Sequence, residues 1–453
     1  MKRKKKFAFS TAQIILLSFL VAILVGSALL ALPISAADGE AVPYVDALFT
    51  ATTSTCVTGL VTLPTVSTWS VFGQVVILIL IQIGGLGIIT IMSGLMMLLN
   101  RKMGISDRLL IQDAFNLNTM SGLAKFVKNV LFGTLIIEGI GAILYMFVFI
   151  PEFGARGIWI AVFTSVSAFC NAGLDVIAEN SLCNYAANPL INVVTSSLIV
   201  LGGLGYIVWW DVLRVLKSRS PKNRKIFRHL TLHSKIAITF TAGLILIGAV
   251  FIFVFEYNNP LTIGELSLFD KIQVSFFQSI TTRTAGFATI PQENLTNASA
   301  TLSIILMLVG GSPVGTAGGM KTVTIAVLIC SAWATIRNKN GATLFGRRIS
   351  EDSVKKAVAV AVAFLTICGV STILLMATSD VSALDAIYEA VSATATVGLS
   401  RNLTATLNTF GKIIIIATMY FGRVGPISLA VALGRKNESQ NLISEPTEDI
   451  SIG

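Results

Sequence analysis

The chain has 453 residues, of which 54% are apolar and only 12% charged, and its mean hydropathy is +0.80. A soluble domain carries roughly 25% charged residues, so the composition excludes an ordinary soluble protein and points to an all-α polytopic membrane protein. The net charge of +10 would suit a nucleic-acid binder, but 26 of the 33 Lys and Arg residues cluster at 1–6, 101–128, 214–235, 337–356 and 435–436. Acidic residues occupy the alternate connectors, so the basic clusters mark cytoplasmic loops and termini.

The first apolar run, Gln13 to Leu32, follows a Lys-rich start and precedes Ser35-Ala36-Ala37, which together resemble a cleaved secretory signal. The run is about 20 residues, long enough to span a bilayer and longer than a signal core, and is read as a retained helix. A short helix at 44–55 follows, then the turn Thr55-Cys56-Val57-Thr58-Gly59 and a second helix at about 70–99. The next unit has helices near 126–149 and 190–213 around a short helix at 158–169 and the turn Phe169-Cys170-Asn171-Ala172-Gly173. A third has helices near 235–255 and 298–335 around 269–281 and Thr282-Arg283-Thr284-Ala285-Gly286. The fourth has helices near 354–377 and 408–433 around 384–394 and Thr394-Ala395-Thr396-Val397-Gly398.

Gly59, Gly173, Gly286 and Gly398 are 114, 113 and 112 residues apart, each with an aromatic ten residues before it (Phe49, Phe163, Phe276, Tyr388). This regularity predicts four tandem helix–pore-helix–helix repeats, eight transmembrane spans and both termini in the cytoplasm. Because each unit crosses twice, all four share one orientation, and the expected arrangement is fourfold pseudosymmetry around an axis along the membrane normal. An inverted-repeat transporter would place its axis in the membrane plane. The expected boundaries are 1–100 for repeat one, 101–216 for repeat two, 217–337 for repeat three, 338–434 for repeat four, and 435–453 for a cytoplasmic tail. The short helices cannot cross about 30 Å of hydrocarbon, and irregular backbone at that depth must be buried or line water. The four turns are therefore predicted to re-enter and face an ion path. Extended backbone ending in glycine can aim successive carbonyls at an axis, and rings of carbonyls replace the hydration shell of potassium.

The second helix of repeat three is predicted to be broken over 310–321, where Gly310, Gly311, Ser312, Pro313, Gly315, Thr316, Ala317, Gly318 and Gly319 precede Met320 and Lys321. Glycine and proline weaken helix interiors. Gly315 to Thr322 also nearly spells the phosphate-binding loop G-x-x-x-x-G-K-T, but Met320 stands where its second glycine belongs. Lys321, Arg423 and Glu138 are charges inside apolar helices, a placement that implies a cavity or a partner. The five cysteines form no C-x-x-C pair and the two histidines, His229 and His233, lie in a basic loop, so neither a metal site nor a tightly bound cofactor is expected.

On these turns and this broken helix, the chain resembles the membrane subunit of the Ktr/Trk/HKT superfamily of potassium transporters, its length favouring the Ktr branch. The resemblance implies a potassium filter made of Thr55 to Gly59, Cys170 to Gly173, Arg283 to Gly286 and Ala395 to Gly398. It further implies that the 310–319 loop with Lys321 is a gate and that Arg423 stands beside it as a barrier to cations. By the same resemblance the protein is a homodimer in the plasma membrane, resting on a cytoplasmic nucleotide-binding ring, with potassium in the filter and sodium as an activator. No covalent chemistry is expected. A poorly selective cation channel and a sodium-coupled symporter remain alternatives, as does, more remotely, a membrane-anchored nucleotide hydrolase.

Overall fold

A computed structural model describes residues 10–98, 112, 122–217, 226–339 and 341–425. The basic stretch 1–6, most of 101–121, Pro426 and the 435–453 tail lie outside the described residues, as does the end of the last helix expected to reach 433.

Among the described residues, four helices are long and apolar enough to cross a membrane: Ala12–Leu30, Leu123–Phe153, Leu232–Glu256 and Glu351–Thr378. Each opens a segment of the chain. The first starts two residues earlier than the apolar run suggests, at Thr11, because Ser10 and Gln13 close a capping box at its N-terminus. Their outward faces are lined with exposed apolar side chains such as Val21, Phe147, Val254 and Ile373, the face a lipid-solvated helix presents.

Inside this layer lie four short helices, Tyr44–Cys56, Arg156–Cys170, Leu268–Thr281 and Ala383–Ala395. Each packs against the long helix preceding it. The short helices are rich in Ser and Thr yet buried toward their C-terminal ends, and many of those hydroxyls bond to backbone carbonyls one turn back, as Ser54 does to Thr50 O at 2.6 Å and Thr394 to Ala390 O at 2.7 Å. The inner helices then link the segments: 71–86 packs on 156–170, 189–204 on 268–281, 297–308 on 383–395, and 409–424 returns to 44–56. An ion pair, Lys412 Nζ to Asp46 Oδ1 at 2.5 Å, pins that last seam.

The inner helices correct the sequence expectation. Two are broken where a continuous helix was expected, the third is opened where a break was expected, and the fourth ends at the last described residues. Val71–Leu86 stops at Gly87 before Ile88–Leu98; Pro189–Leu204 stops at Gly205, where the chain bends by 93° into Tyr206–Lys217; and Thr409–Val424 stops at Gly425. The three glycines share one backbone geometry, φ/ψ of 83/134°, 87/143° and 87/140°. A Cβ is strongly disfavoured there, so a break at each follows. The third inner helix opens further, into a loop between Asn297–Leu308 and Thr322–Ile336. A two-stranded hairpin, Thr343–Leu344 with Arg347–Arg348, connects the third and fourth segments and was not foreseen.

Candidate functional site

The short helices of the first, second and fourth segments end in the same way. Val57, Asn171 and Thr396 take left-handed conformations, and the N–H of the next residue reaches back five residues at 2.8 Å in every case. In the third segment the helix runs one residue differently: Thr282 remains right-handed, Ala285 N bonds Thr281 O at 3.0 Å, and the left-handed residue is Thr284. In all four turns a left-handed residue thus stands two before the glycine, and each glycine itself has positive φ. Left-handed valine and threonine cost of order 1–3 kcal/mol each and persist only where the surroundings over-determine them.

What over-determines them is mutual contact. A Cβ built on Gly59 would lie 2.5 Å from Ala172 O, one on Gly173 2.7 Å from Ala285 O, one on Gly286 2.5 Å from Val397 O, and one on Gly398 2.2 Å from Thr58 O. Each glycine faces the residue preceding the next glycine, and the cycle closes on itself. The four turn glycines and the residues before them, Thr58, Ala172, Ala285 and Val397, are therefore brought together in one ring.

A cavity opens on each side of the ring. The outer one, about 440 Å³, is lined by Gly59, Gly173, Gly286 and Gly398 together with Asp175, Glu179 and Glu293. Asp175 is nearly buried and accepts a bond from Ile177 N at 3.2 Å. Burial pushes its carboxyl up to about 6, against the lowering effect of hydrogen bonds from Ile177, Ser181 and Ala178. The inner cavity, about 380 Å³, is lined by Gly84, Gly87, Gly318, Gly319, Lys321 and Arg423 among others.

The 309–321 loop lies directly beneath the turns. A Cβ on Gly318 would fall 1.8 Å from Thr396 Oγ1, and Thr316 Oγ1 donates to Phe169 O at 3.0 Å. The loop is also tied to the break in the second inner helix: Ser312 N donates to Gly203 O at 2.8 Å, Thr316 N to Gly202 O at 3.2 Å, and Tyr206 N to Val314 O at 2.9 Å. Within the Gly315–Thr322 stretch, the amides of Thr316 and of Thr322, which donates to Gly311 O at 3.0 Å, are taken by backbone carbonyls.

Three cationic side chains surround it, and each donates to backbone carbonyls. Arg423 donates to Thr316 O at 2.7 Å and Gly84 O at 2.5 Å, Lys321 to Ala317 O at 2.5 Å, and Arg283 to Thr241 O at 3.2 Å and Gly310 O at 2.9 Å. Arg283 thus points behind its turn, to the start of the loop. Glu138, for which a cavity or a partner was expected, takes a bond from Gln82 Nε2 at 2.8 Å next to Cys170.

Two features escaped sequence reasoning. One is the set of glycine breaks, foreshadowed by Gly85-Leu86-Gly87, Gly203-Leu204-Gly205 and Gly422-Arg423-Val424-Gly425 at similar distances after the turn glycines. The other is Glu389, buried in the fourth short helix; a single glutamate in an apolar stretch carries no pattern.

Comparisons with known proteins agree with this architecture. The family model for TrkH, described as a cation transport protein, matches residues 1–445. The potassium/sodium uptake protein NtpJ of Enterococcus hirae is 38% identical over 100% of this chain and 99% of its own length. The Ktr system potassium uptake protein B of Bacillus subtilis is 36% identical over 98% and 97%. Among solved structures, the crystal structure of the potassium transporter TrkH from Vibrio parahaemolyticus superposes with a TM-score of 0.76 at 17% identity, covering 96% of this chain and 87% of that one, which establishes a shared fold. The chain is a multi-pass membrane protein and belongs to the TrkH/Ktr family of cation transport proteins, ion transporters and not enzymes.

Proposed function

We propose that this chain takes up potassium across the plasma membrane through a filter formed by the four glycine turns. The observation that carries the reading is the closed cycle of glycine–carbonyl contacts with a cavity on either side. In a ring so tight, backbone carbonyls are the polar groups able to face a passing ion, and they stand in for its water shell. The long helices together with the broken inner helices supply eight crossings, the four copies share one axis, and both termini face the cytoplasm. On this reading the four repeats run over 1–100, 101–216, 217–337 and 338–434. The acids Asp175, Glu179 and Glu293 of the outer cavity raise the local cation concentration.

The loop from Gly310 to Gly319 is the gate, with Arg423 and Lys321 as its charged rim. It blocks the path just below the turns, and its glycines permit displacement. The kinship with Ktr-system proteins favours a homodimer working on a cytoplasmic nucleotide-binding ring, and the name of the Enterococcus hirae relative favours an influence of sodium. The test is potassium uptake by this chain in a potassium-transport-deficient cell, with and without sodium and a cytoplasmic Ktr partner. Growth rescue at low potassium is expected; absence of rescue from membrane-inserted protein under all these conditions overturns the reading. The family resemblance to a potassium/sodium uptake protein keeps one second reading, a cation channel of low selectivity, which predicts equal potassium and sodium flux.

A further inference from the structure

Glu389 lies nine residues before Gly398 in the fourth short helix and is fully buried. It takes part in none of the ion pairs among the described residues. Its carboxylate is instead met by two hydroxyls. Ser400 Oγ donates to Oε2 at 2.7 Å, and Thr404 Oγ1 donates to Oε1 in a shorter contact. Ser400 Oγ in turn accepts from Leu403 N at 3.1 Å and Thr404 N at 3.3 Å. Ser400 is the second residue after Gly398 and lines the outer cavity. The carboxylate therefore ties the segment leaving the turn to the helix that enters it.

That helix also holds the turn directly, through Gly398 N to Ser392 Oγ at 3.1 Å. The first turn has the same direct bond, Gly59 N to Thr53 Oγ1 at 3.0 Å, but not the clamp. Nine residues before the other three glycines stand Thr50, Thr164 and Phe277, none of which can accept two hydroxyl bonds on a charged group. Burying a carboxyl group outside any ion pair is costly, and the two hydroxyl bonds offset part of that cost. The expense falls where the turn's sequence, Thr396-Val397-Gly398, is nearest to that of a potassium filter.

We propose that Glu389 is the positioning residue of the fourth turn: it fixes the segment from Leu399 to Thr404, and through it the spacing of the turn's carbonyls on which discrimination between potassium and sodium depends. The proposal rests on the filter reading above.

The full-length chain, reconstituted in liposomes with a Ktr partner, is assayed for its potassium-to-sodium permeability ratio. Loss of a bond to a charged group predicts a ratio lowered about tenfold in Glu389→Gln and about threefold in Ser400→Ala and Thr404→Val. Glu256, a second buried carboxylate that accepts bonds from Asn259, Thr262 and Thr296 on the outer side of the third segment, provides the comparison. Glu256→Gln is expected to lower thermal stability and leave the ratio unchanged. In a Gly398→Ser background, Glu389→Gln is expected to change the ratio little further, because both act through one turn. A selective wild type whose ratio survives Glu389→Gln, or survives both hydroxyl deletions when Glu389→Gln fails to fold, overturns the role of Glu389 alone. So does an equal loss in Glu256→Gln. A wild type that passes both ions equally overturns the filter reading itself.

Discussion

Behind Gly398 stands a buried carboxylate, held by two hydroxyls of its own segment; behind Gly286 stands a buried guanidinium, which reaches out of its turn to Thr241 and Gly310. The third and fourth segments thus arrive at similar left-handed turns by opposite means. In the fourth, polar bonds close on the turn itself. In the third, they bind the turn to the loop below, and the loop interrupts the inner helix. The difference teaches that similar turns of one ring can be held by unlike supports, which on the proposed function would suit them to unequal duties. A turn braced on itself suits discrimination between ions, whereas a turn wired to a glycine-rich loop suits control of flux.

The strongest way to break this division is at Gly398. A Cβ there would lie 2.2 Å from Thr58 O, at a φ of +95° that a side chain rarely adopts. Gly398→Ser is expected to reduce the potassium-to-sodium ratio roughly a hundredfold, the equivalent of about 3 kcal/mol of backbone strain, while total cation flux persists. Ratios measured by reversal potential or by paired isotope uptake decide it; an unchanged ratio in a well-inserted variant removes the fourth turn from selectivity.

The next effect belongs to the loop. Arg423 sits where the inner cavity meets Thr316 and Gly84. At an effective dielectric of about 20, two like charges about 6 Å apart repel by about 3 kcal/mol. Sharing of the charge with two carbonyls reduces that, so Arg423→Ala is expected to raise flux about tenfold per inserted transporter, most clearly without a cytoplasmic partner. Shortening the Gly310–Gly319 loop is expected to act in the same direction. Reduced flux in both, at normal membrane levels, would show them to be supports of the fold. A finer cut is Thr316→Val, which keeps the side-chain shape and deletes the bond to Phe169 O. One neutral hydrogen bond is worth about 1 kcal/mol, so flux should rise about fivefold with the selectivity ratio intact. A shift in the ratio would mean that the two duties are not separable.

Much of this arrangement was legible in the chain. The glycine spacing marked the four turns because only glycine fits between two facing backbones, and that constraint is local to one residue type. The opened helix of the third segment was legible for the same reason, since five glycines and a proline fall within a few residues. The breaks at Gly87, Gly205 and Gly425 were hidden because one glycine in an apolar helix reads equally as a packing position. Their distinction from Gly84, Gly202 and Gly422, which press on Thr55 O, Phe169 O and Thr394 O, depends on φ and ψ alone. Glu389 and Gln82 were hidden for another reason: their partners lie elsewhere along the chain, and only the folded molecule brings hydroxyl, amide and carboxylate together.

The smallest effect separates entry from both duties. Asp175 lies on the outer cavity two residues after Gly173, in neither the third nor the fourth segment, and its carboxyl titrates at about 6. Above that pH it is ionised and attracts cations; below it the proton removes the charge, leaving Glu179 and Glu293 as the acids of the cavity. Lowering the external pH from 7.5 to 5 should therefore raise the half-saturating potassium concentration about threefold, with maximal rate and selectivity unchanged, since one screened charge at a wet mouth is worth under about 1 kcal/mol. Asp175→Asn should show the acid value at every pH and flatten the profile. The sign also holds for stability. A carboxyl whose folded value is raised from 3.8 to about 6 favours folding least when ionised, so Asp175→Asn should stabilise the protein at pH 7.5, and that gain should vanish as the pH falls below about 4. If the variant keeps the wild-type pH profile for half-saturation, the proton acts elsewhere, and the outer cavity contributes shape without charge to the capture of the ion.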